Sequence, residues 1–159
     1  MKIIPYDKFD IELSSRPDEV LDIISNVTES DKLFKFSEGK EFSGSITENG
    51  FVIRKNITYR NSFLPIIEGE VKPSYDGILV TITMRLHTAV LCFMCFWFTG
   101  VGIACINVLA NLDNFSNNSL IPFGMLLFGL GMVIFGFGLE APKQKNRIVN
   151  LLTEQSTTN

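Results

Sequence analysis

Histidine and tryptophan occur once each in this sequence, as His87 and Trp97, and cysteine occurs three times. A single histidine leaves room for a Ser-His-Asp arrangement only around His87. Three cysteines is an odd number, and Cys92, Cys95 and Cys105 all lie in the apolar half, so a disulfide framework is not expected. The glycines after residue 99 form no G-x-x-x-x-G-K phosphate loop. No long basic run is present and the net charge is -3, so no nucleic-acid partner is expected. The opening "MKIIPYDKFD" has no apolar core of a cleavable signal, and none is expected.

Charge is missing from one part of the chain in particular. Residues 88–139 contain one charged side chain, Asp113, whereas residues 1–87 hold 11 of the 14 Lys and Arg and 14 of the 17 Asp and Glu. Two uncharged runs, 89–109 "AVLCFMCFWFTGVGIACINVL" and 120–139 "LIPFGMLLFGLGMVIFGFGL", are each about 20 residues, or roughly 30 Å of helix, which matches a bilayer's hydrocarbon core. The short polar stretch 110–119 "ANLDNFSNNS" joins them. This predicts a transmembrane hairpin of 88–139 between an N-terminal domain of 1–87 and a C-terminal helix and tail of 140–159. Arg85 precedes the first span, Lys143, Lys145 and Arg147 follow the second, and the loop has no Lys or Arg. Both termini are therefore expected in the cytoplasm and the loop outside, with the protein integral to a bacterial inner membrane.

That placement also decides the C-x-x-C of Cys92 and Cys95. A redox pair needs an exposed helix N-terminus to lower a thiol pKa, and hydrocarbon raises it. These cysteines read as small packing residues, and His87 as a marker of the water–lipid boundary. No metal, cofactor or catalytic residue is expected. The pair Glu68 and Glu70 alternates with apolar residues, as on any solvated strand. The two N-x-S patterns, Asn114 to Ser116 and Asn117 to Ser119, read as loop residues.

Small residues suggest how the helices pack. Gly124, Gly131 and Gly138 recur every seventh residue and share one face of the second helix, with Gly129 and Gly136 on another. Gly100, Ala104 and Asn107 share a face of the first. Small residues let helix backbones approach closely, and a buried Asn amide seeks a partner. One glycine groove is expected to receive the first helix and the other a second copy of the chain, giving a homo-oligomer.

The charged half alternates in the manner of a sheet. "KFDIEL" puts Phe9, Ile11 and Leu13 on one side of a strand. Ser15, with Asp18 three residues on, is expected to cap a helix whose stripe is Val20, Ile23, Ile24 and Val27. "KLFKF", "EFSGSIT", "FVIRKNITYR", "PIIEGEVK" and "GILVTITMRL" read as further strands in an antiparallel meander, with Asn49-Gly50 at a tight turn. The last strand runs straight into the first apolar helix. "EAPKQKNRIVNLLTEQ" predicts a short amphipathic helix, with Ile148, Val149, Leu151 and Leu152, that folds back to complete the core. The fold class is therefore an α+β membrane protein.

The run "FDIELSSRPDEVLDIISNVTE" resembles the opening strand and helix of helix-grip, START-like lipid-carrying domains, which implies an apolar cavity between helix and sheet. The meander and closing helix also resemble bacterial pleckstrin-homology-like domains anchored by membrane hairpins. A sheet joined to two spans is similar, with the element order reversed, to the membrane effectors of anti-phage systems.

One further stretch, "RKNITYRNSFLP", gathers Arg54 and Arg60 with Tyr59, Phe63 and Leu64. With Arg85, His87, Lys143, Lys145 and Arg147 it forms a candidate surface for lipid headgroups. The functional expectation is a non-enzymatic, membrane-anchored binding or scaffold module, oligomeric, with the lipid bilayer as partner. The alternatives are a ligand-responsive effector or sensor and a lipid-handling domain, each with a lipid or small-molecule ligand.

Overall fold

The computed structural model describes residues 5–30, 39–114 and 116–156. The alternation of the first segment produces β1 (Tyr6–Leu13), in which Asp7, Phe9, Ile11 and Leu13 turn inward and the residues between them turn out. Helix α1 (Pro17–Val27) starts one residue later than Ser15 capping requires. Glu19 closes its first turn, accepting from the backbone N–H of Arg16 at 3.3 Å and from Arg16 Nε at 2.9 Å. Glu19 thus does the work expected of Asp18, and Arg16 stands at the cap position expected of Ser15. At the other end the Ser25 carbonyl accepts from the Thr28 N–H, and Lys40 Nζ donates to the carbonyls of both Ser25 and Thr28.

Five more strands follow: β2 (Thr28–Ser30), β3 (Phe42–Thr47), β4 (Gly50–Lys55), β5 (Ile66–Ser74) and β6 (Gly77–Arg85). The sheet order is β1-β6-β5-β4-β3-β2. Strands β3 to β6 form the antiparallel meander, and β1 pairs antiparallel with β6. Strand β2 pairs parallel with β3, so the sheet is mixed and the fold is α+β. The expected strand "KLFKF" lies outside the described residues.

Two details of the meander differ from the sequence reading. The two-residue connection of β3 to β4 is Glu48-Asn49, and Gly50 is already in the strand. It is needed there because a Cβ on Gly50 would lie 2.2 Å from the Gly69 carbonyl oxygen. The strand expected to run to Arg60 ends at Lys55, and residues 56–65 form a loop. Ile57 and Tyr59 continue the alternation in sequence, but tertiary contacts described below hold them in that loop. At the β5–β6 turn Gly77 has φ +140°, and a Cβ there would strike the Leu13 carbonyl oxygen at 2.2 Å. Glycine satisfies both conditions.

One face of the sheet carries the core. Phe42, Phe51, Ile53, Ile67, Val71, Ile78, Val80, Ile82 and Met84 are buried on it. Val20 and Ile24 of α1 cover part of this face, and the C-terminal helix covers the rest. The opposite face carries Lys8, Asp10, Glu12, Ser43, Arg54, Glu68, Glu70, Thr81, Thr83 and Arg85, all exposed or half-buried.

Two helices are long and apolar enough to cross a membrane, by length and composition: α2 (Thr88–Ala110) and a second that runs without a break from Asn117 to Glu154. The second joins the expected span and the expected amphipathic helix into one continuous helix. It contains α3 (Ile121–Val133), a π-helical turn at Ile134–Gly138, and α4 (Glu140–Ser156). Pro142 is the physical reason for the turn. It has no N–H to give, and its ring crowds the carbonyl four residues back, at Gly138. A wider turn just upstream relieves that clash and keeps the helix continuous. Of the expected stripe of α4, Ile148, Leu151 and Leu152 are buried in the core with Phe137 and Ala141, and Val149 is half-buried.

Candidate functional site

The chemistry-bearing and conformationally unusual residues gather where the sheet meets the apolar hairpin. The first connection is β6 to α2. Only Leu86 and His87 separate Arg85 from Thr88, and Leu86 is buried in the sheet core. His87 caps α2: its Nδ1 accepts from the Ala89 N–H at 3.2 Å, and its carbonyl accepts from Val90 and Leu91. A neutral His87 therefore carries its ring proton on Nε2. Helix α2 leaves the sheet with no slack.

The second connection is the π-turn, gripped by the loop 56–65. A π-turn leaves carbonyls without their usual helical partner, and here Asn61 Nδ2 donates to the Gly136 carbonyl at 3.1 Å. Asn61 is itself fixed, because its Oδ1 accepts from Phe63 N at 2.9 Å and its carbonyl from Leu64 N at 3.3 Å. Phe63 lies against Gly136 so closely that a Cβ on that glycine would fall 2.5 Å from the Phe63 Cβ. Leu64 and Pro65 are buried beneath. One helical turn on, Tyr59 lies beside Glu140. Partial desolvation, and then the neighbouring Glu140 charge, raise the Tyr59 pKa above its ordinary value.

These contacts give the stretch "RKNITYRNSFLP" a different role from a basic surface. Its polar and aromatic residues hold the π-turn, while Arg54 and Arg60 remain exposed. The other candidate interface cations are mostly spent on ion pairs. Arg85 binds Glu68, which raises the guanidinium pKa. Arg147 of α4 binds Glu41 through both carboxylate oxygens at 2.8–3.1 Å. Lys145 reaches the buried Asp7 at 3.5 Å and lies 4.1 Å over the Phe9 ring. Lys143 pairs with Glu140 on its own helix. Three of these pairs join parts of the chain far apart in sequence, and two of them fasten α4 to the domain.

The helical hairpin closes through Gly129. A Cβ there would meet Trp97 Nε1 at 2.9 Å and the Phe98 ring at 3.2 Å. Met94, Val101 and Cys105 are the buried residues of α2. Gly100 and Gly124 have nothing within 4 Å of an added Cβ, and Gly131 has only Phe135 of its own helix at 3.9 Å. Gly138 is buried at the π-turn, Ala104 is half-buried, and Asn107 is exposed, where its carbonyl accepts from Asn111 Nδ2 at 2.9 Å. The close approach therefore uses bulky side chains of α2 against Gly129, and Gly100, Gly124 and Gly131 face elsewhere.

A cavity of about 480 Å³ lies between α2 and α3, and Val20 and Ile24 of α1 are buried against the sheet. Within α4, Gln144 is 1% exposed, and neither its amide nitrogen nor its oxygen has a hydrogen-bond partner. Cys92 and Cys95 are exposed on α2. Among the described residues, no group of three His, Cys, Asp or Glu side chains is placed to hold a metal ion.

No family model, curated protein or solved structure matches this chain.

The sequence reading missed Asn61 and Gln144, and it gave Phe63 and Gly136 other roles, in a headgroup surface and a packing groove. The available signal was Pro142, six residues after Gly136 in an otherwise unbroken helical run.

Proposed function

We propose that this chain is an integral membrane protein with both termini in the cytoplasm, and that it is a non-enzymatic binding module built as one body with its two spans. Support for the membrane reading comes from the outside of the hairpin. Only 17% of each apolar window is buried, unlike the core helix of a soluble protein. Phe96, Ile103, Ile106, Leu127, Phe128 and Phe135 are all more than 60% exposed, a surface suited to hydrocarbon. The Arg85 and Lys143–Arg147 flanks favour a cytoplasmic sheet. The binding surface in this reading is the open polar face of the sheet.

The observation that carries the functional reading is the grip of Asn61 and Phe63 on the π-turn. A passive tether needs one connection between domain and membrane. Here both spans are fixed to the sheet, one through Leu86 and His87 and the other through the clamped turn. A partner on the open face that moves β4 or β5 therefore displaces the loop between them and the helix it holds. This favours the sensor form of the module over a plain anchor.

Two measurements test this. A Ser116→Cys variant in intact cells reports topology: labelling from outside is expected, and labelling only after permeabilisation reverses it. Hydrogen exchange of residues 134–138 in nanodiscs tests the coupling. Asn61→Ala is expected to speed exchange there and also at the start of α4. Exchange unchanged by Asn61→Ala leaves the two bodies uncoupled and ends the sensor reading.

A further inference from the structure

We propose that the cavity between α2 and α3 holds one acyl chain of a phospholipid from the leaflet nearest the sheet, retained as a bound lipid. This rests on the reading of the hairpin as membrane-spanning. The volume of about 480 Å³ is within the ordinary range for ligand pockets, about 300–1,000 Å³.

The lining fixes the chemistry of the occupant. Leu91 and Phe98 of α2 face Leu130 and Val133 of α3, and Pro5 and Leu86 form the end nearest the sheet. Thr99 brings a hydroxyl to the wall, but it donates to the Cys95 carbonyl at 2.8 Å, so it asks nothing of a ligand. Its walls offer no free polar group to a water molecule. A polar or charged ligand would lose its hydration there with no partner to replace it.

Position and access then select among hydrocarbons. The α2 lining belongs to the first half of that helix and the α3 lining to the last turn before the π-turn, so the cavity occupies the sheet-side half of the hairpin. Its rim is continuous with the outer apolar surface: Leu91 is 46% exposed and Leu130 37%. Whatever bathes that surface reaches the cavity directly, and in a bilayer this is an acyl chain. The end at Leu86 is followed at once by the exposed His87, whose Nε2 proton supplies a donor at headgroup level. A chain held between α2 and α3 at this depth also touches Ile134, the first residue of the π-turn.

The test uses the full-length protein extracted from membranes in a mild detergent and weighed by native mass spectrometry. The wild type is expected to keep one phospholipid per chain. Thr99→Phe and, separately, Leu91→Trp fill the cavity from exposed wall positions and are expected to lose that adduct. Leu127→Phe, 69% exposed and outside the lining, is expected to keep it. Unchanged elution volume and helical circular dichroism confirm that each variant folds. A wild type without the adduct, or an adduct equally abundant in Thr99→Phe, Leu91→Trp and Leu127→Phe, overturns the proposal. An alkaline carbonate wash separates the two levels. Protein released by the wash defeats the membrane reading, whereas protein that stays in the membrane but carries no lipid defeats this inference alone.

Discussion

The side-chain amide of Asn61 donates to the backbone carbonyl of Gly136 at 3.1 Å, and joins the β4–β5 loop to a helix 75 residues away in sequence. Removing the amide in Asn61→Ala leaves that carbonyl without its donor and the Phe63 N–H without its Oδ1 acceptor. The expected loss is ~1–2 kcal/mol, read as a lower thermal midpoint in detergent. Gly136→Ala attacks the same contact from the other side, since the new Cβ meets Phe63. A loss of about 1–3 kcal/mol is expected for such overpacking. The double variant should be less damaging than the sum, because each change breaks the same clamp.

Gln144→Leu should stabilise the protein. The amide is buried with no hydrogen-bond partner, and an apolar side chain of similar size removes that desolvation penalty of ~1–3 kcal/mol. Denaturant unfolding compared with the wild type checks the sign. A Gln144→Leu protein that unfolds earlier would show that the amide makes a contact in solution.

Leu152→Ala should cost about 2–5 kcal/mol, as for other fully buried leucines. Leu152 is the last large residue of the core, and it comes from the far side of the hairpin. A loss of this size, measured on sheet signals in the circular dichroism, would establish that α4 belongs to the N-terminal domain.

Gly129→Leu and Gly131→Leu form a matched pair. Gly129 faces Trp97 and Phe98, so a side chain there must part α2 from α3. Gly131 has only Phe135 of its own helix near an added Cβ. Gly129→Leu should lower the yield and thermal midpoint, and Gly131→Leu should leave both unchanged. Gly131→Leu then reports on the homo-oligomer: if a second copy uses the Gly124 and Gly131 groove, native mass spectrometry will show the assembly fall apart while the monomer stays folded.

Tyr59 provides a pH signature for the clamp. Its folded pKa is raised from 10.0, by desolvation first and then by Glu140. The contact therefore contributes below the unfolded pKa and is lost as pH rises through the folded one. The thermal midpoint of the wild type should fall faster than that of Tyr59→Phe above about pH 10. Parallel curves would mean that the Tyr59 hydroxyl has no part in the grip.

Much of the fold was legible in the sequence because it rests on local periodicity. The strands of β1, β3, β5 and β6, the stripe of α1 and the stripe of α4 all follow from alternation or from three- and four-residue spacing. What was hidden depends on partners distant in the chain. "NITYR" alternates like a strand, yet Asn61 and Phe63 bind the π-turn, and the segment becomes a loop. The candidate cations are another case. Arg85, Lys145 and Arg147 read as a basic flank, but Glu68, Asp7 and Glu41 take them up. Their carboxylate partners lie 17 to 138 positions away, and no spacing rule reaches that far. Gly129 was read as part of one of two equivalent grooves, and only the placement of Trp97 distinguishes them.

The order of synthesis gives the position of α4 one more consequence. Ile148, Leu151 and Leu152 emerge from the ribosome after both apolar helices, although they close the core of a domain whose strands come first. Until then the inner face of the sheet is a greasy plane covered only by α1. In the proposed membrane reading, the N-terminal domain matures only after both apolar helices are inserted and α4 has returned to the side of the sheet. In that reading, a chain that inserts one helix and not the other holds α4 away from its sheet and leaves that plane open to chaperones and proteases. The closing helix Glu140–Ser156 would then act as a receipt for correct insertion.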